Sequence, residues 1–389
     1  MDMRTICDDV FWLGAIDWER QLFDALVPLP EGTSYNAYLV RGNTKTALLD
    51  TVEPDMVDVL LNQLRDVERI DYVVVHHAEQ DHSGSLPVIL EKYPDAKVVT
   101  SAKCLPLLRD LYPVDPARCV LVKDGDTLDL GGRTLEFIFT PWVHWPETMV
   151  SYLREDGVLF TCDFFGSHLA TSDLFAHDRP RVYDAARRYY AQIMMPFRSH
   201  ITKHLERLAP LKARVICPSH GPVFDDAAFI MDAYRDWVIG EPKKQVVIPY
   251  VSMHHSTKQM VDMLVAELAQ RNIPVQPFEM TVTDIGRLAA ALVDASTVVM
   301  ATPTVLNGAH PNVAYAAFLV NLLKPKTKYL SVIGSLGWGG KVVEQLAAML
   351  PNLNVEMLSP VLVKGVPGPE ARTALAALAQ TIADKHQPV

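Results

Sequence analysis

Short apolar runs broken by turn residues dominate residues 10–153. Segments 36–40 and 46–51 flank Arg41-Gly42-Asn43-Thr44, whose Gly-Asn pair predicts a hairpin. A helical stretch over 56–64 precedes an apolar strand over 72–75, and helical spacing returns over 84–92 with Leu86, Ile89 and Leu90. Further strands are predicted over 97–100, 119–122, 134–140, 149–153 and 158–161, with turns at Gly131-Gly132 and Glu155-Asp156-Gly157. Strands in this number with helices interspersed predict two sheets covered outside by helices.

Past a mostly helical stretch over 182–211 and an apolar run over 215–217, the pattern changes at Glu241-Pro242-Lys243-Lys244. Strand candidates at 246–250, 275–278, 297–301, 329–333 and 355–358 then alternate with helical stretches at 260–269, 285–293, 313–323 and 342–350, and a last helix lies near 373–383. That alternation predicts a doubly wound parallel sheet of about five strands. The polar, Pro-containing joint is the expected boundary, giving domains of residues 1–242 and 243–389.

Candidate chemistry gathers where strands end. Directly after the 72–75 strand, His77, Glu79, Asp81 and His82 leave one loop in different directions, so one turn could feed two neighbouring metal ions. His144, Asp163 and His220 each follow an apolar run further on. Any single one of the 13 histidines is more often a surface or satisfied core residue than a ligand. Seven ligand-type residues recurring at strand ends reverse that expectation. His76 is expected to be a neighbour of the ligands, because adjacent positions at a strand end point apart. His168, five residues after Asp163, is either a pocket group or an ordinary loop histidine.

Three loops in the second domain form another set. Ser252, Met253, His254, His255, Ser256 and Thr257 lead into a helix, where hydroxyls and free backbone N–H groups suit a phosphate or simply cap the helix. Thr302, Pro303, Thr304, Leu306, Asn307 and Gly308 follow the third strand, and Ser335, Leu336, Gly337, Trp338 and Gly339 follow the fourth. Carboxyl ends of strands are where ligands bind in this topology. The glycines beside Trp338 let the backbone approach a planar ligand while the indole stacks on it; the plain alternative is a glycine-rich turn around a buried Trp. No Gly-x-Gly-x-x-Gly follows the first strand, so a dinucleotide is the weaker reading.

Composition narrows the class. A net charge of −10 argues against nucleic acid and supplies no basic patch for an anionic membrane. Five scattered cysteines without a Cys-x-x-Cys pair exclude a disulfide framework, a zinc ribbon and a fused rubredoxin module. No stretch reaches the ~18 uninterrupted apolar residues of a membrane span, and the first residues lack an apolar signal core, so a cytoplasmic protein is expected.

The ligand set resembles the metallo-β-lactamase fold, whose common motif is His-x-His-x-Asp-His with a later His, Asp and His. Glu79 stands here at the second His. Three carboxylates with four imidazoles make a harder, more anionic site than a zinc hydrolase uses, which suits iron. The three loops resemble flavodoxin, whose ligand is FMN. Together, and with Gly14-Ala15-Ile16-Asp17-Trp18, Gly32-Thr33-Ser34-Tyr35-Asn36-Ala37-Tyr38, His144-Trp145-Pro146 and Tyr189-Tyr190-Ala191, the chain resembles the flavodiiron proteins over essentially its whole length. That resemblance implies an α/β protein: an N-terminal metallo-β-lactamase-like αββα sandwich, then a flavodoxin-like doubly wound parallel five-stranded sheet. It implies a hydroxide- or oxo-bridged diiron site reloaded by FMN, with one iron on His77, Glu79 and His144, the other on Asp81, His82 and His220, and Asp163 between them. In some members the counterpart of His82 stands off its iron. Implied reactions are O2 to water and NO to N2O, with rubredoxin or a similar small redox protein as donor. The implied assembly is a head-to-tail homodimer or a dimer of dimers. Competing readings are a dizinc hydrolase with a regulatory flavodoxin-like part and a non-catalytic electron carrier.

Overall fold

The computed structural model describes residues 2–387 and divides into two compact units, 1–239 and 240–389. The division falls between Ile239 and Gly240, just before the Lys243–Tyr250 strand begins.

In the first unit a seven-stranded sheet runs in the order Arg4–Cys7, Val10–Asp17, Thr33–Arg41, Thr46–Leu49, Tyr72–Val74, Lys97–Ser101 and Cys119–Val122. Its first strands pair antiparallel, including the hairpin that joins Tyr38 to Leu49, and its last four are parallel. A five-stranded sheet, Thr127–Asp129, Thr134–Phe139, Met149–Leu153, Val158–Cys162 and Val215–Pro218, lies against it. Strand parity decides which side chain goes where, because successive residues face opposite sides. Ala47, Leu49, Val74 and Val99 point between the sheets and pack with Phe137, Met149, Leu153 and Phe160. Their neighbours Leu48, Val73 and Val98 face the other way, onto Leu60, Leu64, Leu86, Ile89 and Leu108 of the outer helices. On the far side, helix Arg198–Leu208 is tied to the second sheet's loops through His204 Nε2 and Pro141 O at 3.0 Å, and Tyr152 Oη donates to Leu211 O at 3.0 Å.

Two helices lie outside the expected pattern. Cys104–Leu111 contains Pro106, but in the first turn a proline removes an N–H that has no helical partner, so the helix tolerates it. Ala227–Val238 buries Ile230, Met231, Tyr234, Trp237 and Val238 at helical spacing.

The second unit is a parallel sheet in the order Val275–Glu279, Lys243–Tyr250, Ala295–Val305, Tyr329–Leu336 and a split fifth strand, Glu356–Met357 and Val361–Lys364. Val246, Ile248, Tyr250, Val299 and Ile333 pack on helices Ser256–Gln270 and Pro369–Lys385, while Val247, Val298, Met300 and Val332 are buried on the opposite face. The third strand is longer than expected: Thr302, Pro303 and Thr304 belong to it, and only Leu306 and Asn307 form the turn to the short Gly308–Ala309 strand. Ser335 and Leu336 likewise end the fourth strand. β-branched Thr302, Thr304 and Val305 continue the third strand past the position where turn composition suggests a loop, and Ser335 and Leu336 are held in the fourth by pairing with Val363 and Lys364. Among the described residues no helix is long and apolar enough to cross a membrane, and all five cysteines are free.

Candidate metal centre

The Tyr72–Val74 strand delivers His76 and His77 to the carboxyl edge of the first sheet, and a single helical turn, Gln80–Ser83, then carries Asp81 and His82. Turning the chain there separates the four ligand-type side chains into two groups. His77, Glu79, His144 and Asp163 offer ligand atoms within 4.8 Å of one another, as do Asp81, His82 and His220, and a third set joins His82 and Asp163 with Cys162. Asp163 lies between the groups. Its Oδ2 is 3.6 Å from His77 Nε2 and 3.5 Å from His144 Nε2; its Oδ1 is 3.0 Å from His82 Nε2 and 3.3 Å from His220 Nε2. Glu79 Oε2 lies 3.0 Å from both His77 Nε2 and His144 Nε2, and Asp81 Oδ2 lies 3.2 Å from His220 Nε2.

Despite this crowding, Asp81 Oδ1 and Oδ2, His82 Nε2 and Asp163 Oδ2 are buried without a hydrogen-bond partner. These atoms lie among other ligand-type groups, within 4.8 Å inside each set, yet none of the four makes a hydrogen bond. Buried polar atoms left in that way are costly unless a cation takes the lone pairs, so the residues fit a pair of metal ions. Electrostatics agree. Burial opposes charge on every imidazole here, yet Asp163 and Glu79 lift His144 to about 10, and Asp163 and Asp81 lift His220 to about 9. Burial likewise works against ionising Asp163 and Glu79, but His82, His144, His220 and His77 hold both carboxyls well below the usual range. The centre is built to hold positive charge, whether carried by protons or by metal ions.

A second layer of contacts orients the ligands. Glu147 Oε1 accepts from His77 Nδ1 at 2.7 Å and from Ala78 N at 3.1 Å, and Ser34 O accepts from His220 Nδ1 at 2.7 Å, which leaves Nε2 of each ring facing the centre. The His220 loop is held by the Thr33–Arg41 strand: Asn36 Nδ2 donates to Pro218 O and Gly221 O, both at 2.8 Å, and Ser34 Oγ accepts from Gly221 N at 2.8 Å. Gly221 has φ +79 and its α-carbon faces Ser167 so closely that a Cβ would collide with it. Tyr189 Oη donates to Asp163 Oδ1 at 3.1 Å. His76 points away from the ligands, its Nδ1 2.7 Å from Asp50 Oδ2 and its Nε2 2.8 Å from Ser151 Oγ. His168 belongs to neither ligand group; its Nδ1 meets Thr33 Oγ1 at 2.9 Å, and burial with the neighbouring His220 keeps it neutral.

A cavity of about 190 Å³ opens over the centre between Phe23, Leu26, Val27, Glu79, His144 and Tyr189. Asp24, at its rim, has its pKa raised by burial and by the Glu79 and Asp81 carboxylates. Sequence reasoning passed over Glu147, Asp50, Ser151 and Asp24, because a lone carboxylate or hydroxyl carries no spacing signal.

In the second unit the three loops come together. Thr257 Oγ1 and Ser335 Oγ lie 3.2 Å apart, Thr302 Oγ1 accepts from His310 N at 2.9 Å, and the Gly340 α-carbon faces Thr304 and Asn307. The amino end of the Ser256–Gln270 helix opens into this cluster behind His255, whose φ is +68. Trp338 is 89% exposed and Leu306 96% exposed, so the buried-Trp alternative does not hold. Open space surrounds Gly337 and Gly339. A helix N-terminus, hydroxyls and an exposed indole on a bare glycine loop fit a phosphate-bearing planar ligand.

Residues 33–221 match the family described as ODP family beta lactamase. The chain is 36% identical over 364 residues to the nitric oxide reductase of Moorella thermoacetica, covering 91% of both chains. To the rubredoxin-oxygen oxidoreductase of Megalodesulfovibrio gigas it is 34% identical over 98% of both chains. Among solved structures, rubredoxin oxygen:oxidoreductase from Desulfovibrio gigas superposes with a TM-score of 0.95 at 33% identity over 99% of this chain and 98% of that one. The flavodiiron protein from Giardia intestinalis gives 0.90 at 28% identity over 100% and 99%.

The chain belongs to the flavodiiron protein family. As a flavodiiron protein it is an oxidoreductase with a metallo-β-lactamase-like first domain and a flavodoxin-like second domain, and the hydrolase and electron-carrier readings fall away. The family carries a diiron centre and FMN, and the buried His, Asp and Glu groups of the first unit are the metal-site candidates of this flavodiiron protein.

Proposed function

We propose that this flavodiiron protein reduces O2 to water, NO to N2O, or both, at two iron ions reloaded by FMN. The carrying observation is Asp163, whose two oxygens face separate ligand groups, one holding Glu79 where a zinc hydrolase has an imidazole. His77, Glu79 and His144 would hold one iron and Asp81, His82 and His220 the other, with Asp163 offering an oxygen to each group. Three carboxylates against two ferrous ions would leave one positive charge, so the set suits a ferrous pair better than a site built of imidazoles alone. When bound, two ferrous ions and reduced FMN supply the four electrons that take O2 to two waters, and two suffice for two NO.

The chain's own residues do the rest. Glu147 and the Ser34 carbonyl fix ring orientation, so the ligands need no rearrangement as charge changes. Phe23, Leu26 and Val27 line the cavity with apolar surface that suits a small uncharged gas. In the second unit, residues 252–257, 302–304, 306–308 and 335–339 would hold FMN, the helix N-terminus and hydroxyls suiting its phosphate and the exposed Trp338 suiting its ring.

Electrons come from an external protein of the rubredoxin kind, and two chains associate head to tail so that the flavin of one serves the irons of the other. The relatives named as nitric oxide reductase and rubredoxin-oxygen oxidoreductase support the two substrates and the donor. Metal analysis with a visible spectrum tests the cofactors: zinc in place of iron, or no flavin band, sinks the reading. Anaerobic stopped-flow of the reduced protein against O2 and NO separately then assigns the substrate. A mixed dimer of one flavin-dead and one iron-dead chain regains activity only if electrons pass between subunits.

A further inference from the structure

We infer that Tyr189, Tyr190, Tyr234, Trp237 and Tyr183 form a one-electron relay that drains oxidising equivalents from the metal centre to the surface of the first unit. The inference rests on the O2-reducing reading above.

The series begins at the centre. Tyr189 Oη donates to Asp163, and the Tyr189 ring lies 5.9 Å from that of His220. Tyr234 packs edge-on against Phe164 at 5.5 Å and Phe165 at 4.8 Å, the two residues that follow Asp163. Tyr190, next in the chain to Tyr189, lies 5.4 Å from Tyr234. Both rings meet Trp237, at 5.6 Å and 5.3 Å. Trp237 Nε1 donates to Tyr183 Oη at 3.0 Å, with ring centroids 5.2 Å apart. The four inner rings are fully buried, and Tyr183 is half-buried. Tyr35 and Trp145 also touch ligand histidines, but among the described residues neither leads to a further Tyr or Trp ring.

A core needs only volume, which Phe or Leu would supply without the cost of burying a hydroxyl or indole N–H. Five easily oxidised rings in series, from an iron-site carboxylate to the surface, supply a function that aliphatic packing lacks. Reduction of O2 to two waters consumes four electrons and four protons. When the flavin delivers fewer, each missing electron is drawn inward along the rings and a hole moves outward. At Tyr183 the phenol gives one electron to Trp237 and its proton to solvent, becoming a neutral phenoxyl radical. An external thiol returns one hydrogen atom to that radical and ends as half a disulfide, so atoms and electrons balance.

The test uses the iron- and flavin-loaded protein turning over O2 with limiting donor. Freeze-quench electron paramagnetic resonance, with ring-deuterated tyrosine to identify the carrier, should show a tyrosyl or tryptophanyl radical. Peptide mass spectrometry after prolonged turnover should find oxidation concentrated at Tyr183 and Trp237. In Trp237→Phe and in Tyr183→Phe the initial rate should hold, while the number of turnovers before inactivation falls severalfold and Tyr183 oxidation disappears. Tyr183→Phe keeps the packing and reports even if Trp237→Phe fails to fold. An unchanged lifetime in Tyr183→Phe, or no ring-centred radical or oxidation in the parent protein, overturns the relay. If the loaded parent consumes no O2, the functional reading falls and the relay with it; if it consumes O2 cleanly with no ring chemistry, only the relay falls.

Discussion

Replacing Glu79 by Gln removes the charge from an oxygen that sits 3.0 Å from two imidazoles, and an amide is a far poorer iron ligand. Iron bound per chain should fall by about half, because the Asp81, His82 and His220 group is untouched; metal analysis after gel filtration checks this. Glu147→Ala leaves the ligands in place but frees the His77 ring, so affinity should weaken roughly 10–100-fold, read by chelator competition. Titration gives a third expectation. His144 and His220, held at about 10 and about 9 by their carboxylates, are protonated at neutral pH in the metal-free chain. Metal binds the unprotonated rings, so loading must expel protons and apparent affinity must rise with pH until those values are passed. Proton release measured in weakly buffered solution should therefore accompany uptake near neutrality and vanish in strongly alkaline solution; release independent of pH would contradict it.

Elements, not single residues, bring the ligands together. The Asp50, His76 and Ser151 contacts join the end of the Thr46–Leu49 strand, the ligand loop and the second sheet in one buried network. Ser151→Ala leaves His76 Nε2 without its partner in a dry environment, which costs about 1–3 kcal/mol. Urea denaturation of the metal-free protein should show that loss, and a midpoint equal to the parent's would show that the network carries no stability. At this scale the sequence was legible where periodicity was strong: the first-sheet hairpin, the Tyr72–Val74 strand and the β-α alternation of the second unit. Legibility failed where local composition misleads. Pro106 masks a helix that tertiary packing retains, and Thr302-Pro303-Thr304 reads as a loop although its neighbours complete a ladder around it.

For the whole molecule, two units imply two separable cofactor sites. Trp338→Ala removes an exposed indole that packing in the flavodoxin-like unit does not need, so FMN should be released more readily while iron content stays constant. Flavin absorbance after dialysis and metal analysis of the same sample decide it, and a joint loss of both cofactors would mean the sites are not separable.

By itself the sequence determined the two-domain α/β plan, the ligand candidates and the family, because apolar periodicity and ligand-type residues at strand ends are local signals. It singled out Glu79 for the same reason: one residue departs from a recognisable motif. It also led to the expectation that Asp163 stands between two ligand groups and that His76 is not a ligand; only the tertiary structure decided that Glu147 and Ser34 aim the imidazoles, that the partners of His76 are Asp50 and Ser151, and that aromatic rings line up behind the centre. Those facts depend on residues far apart in the chain meeting at a sheet edge, and no local pattern encodes the direction in which a side chain points once it arrives there.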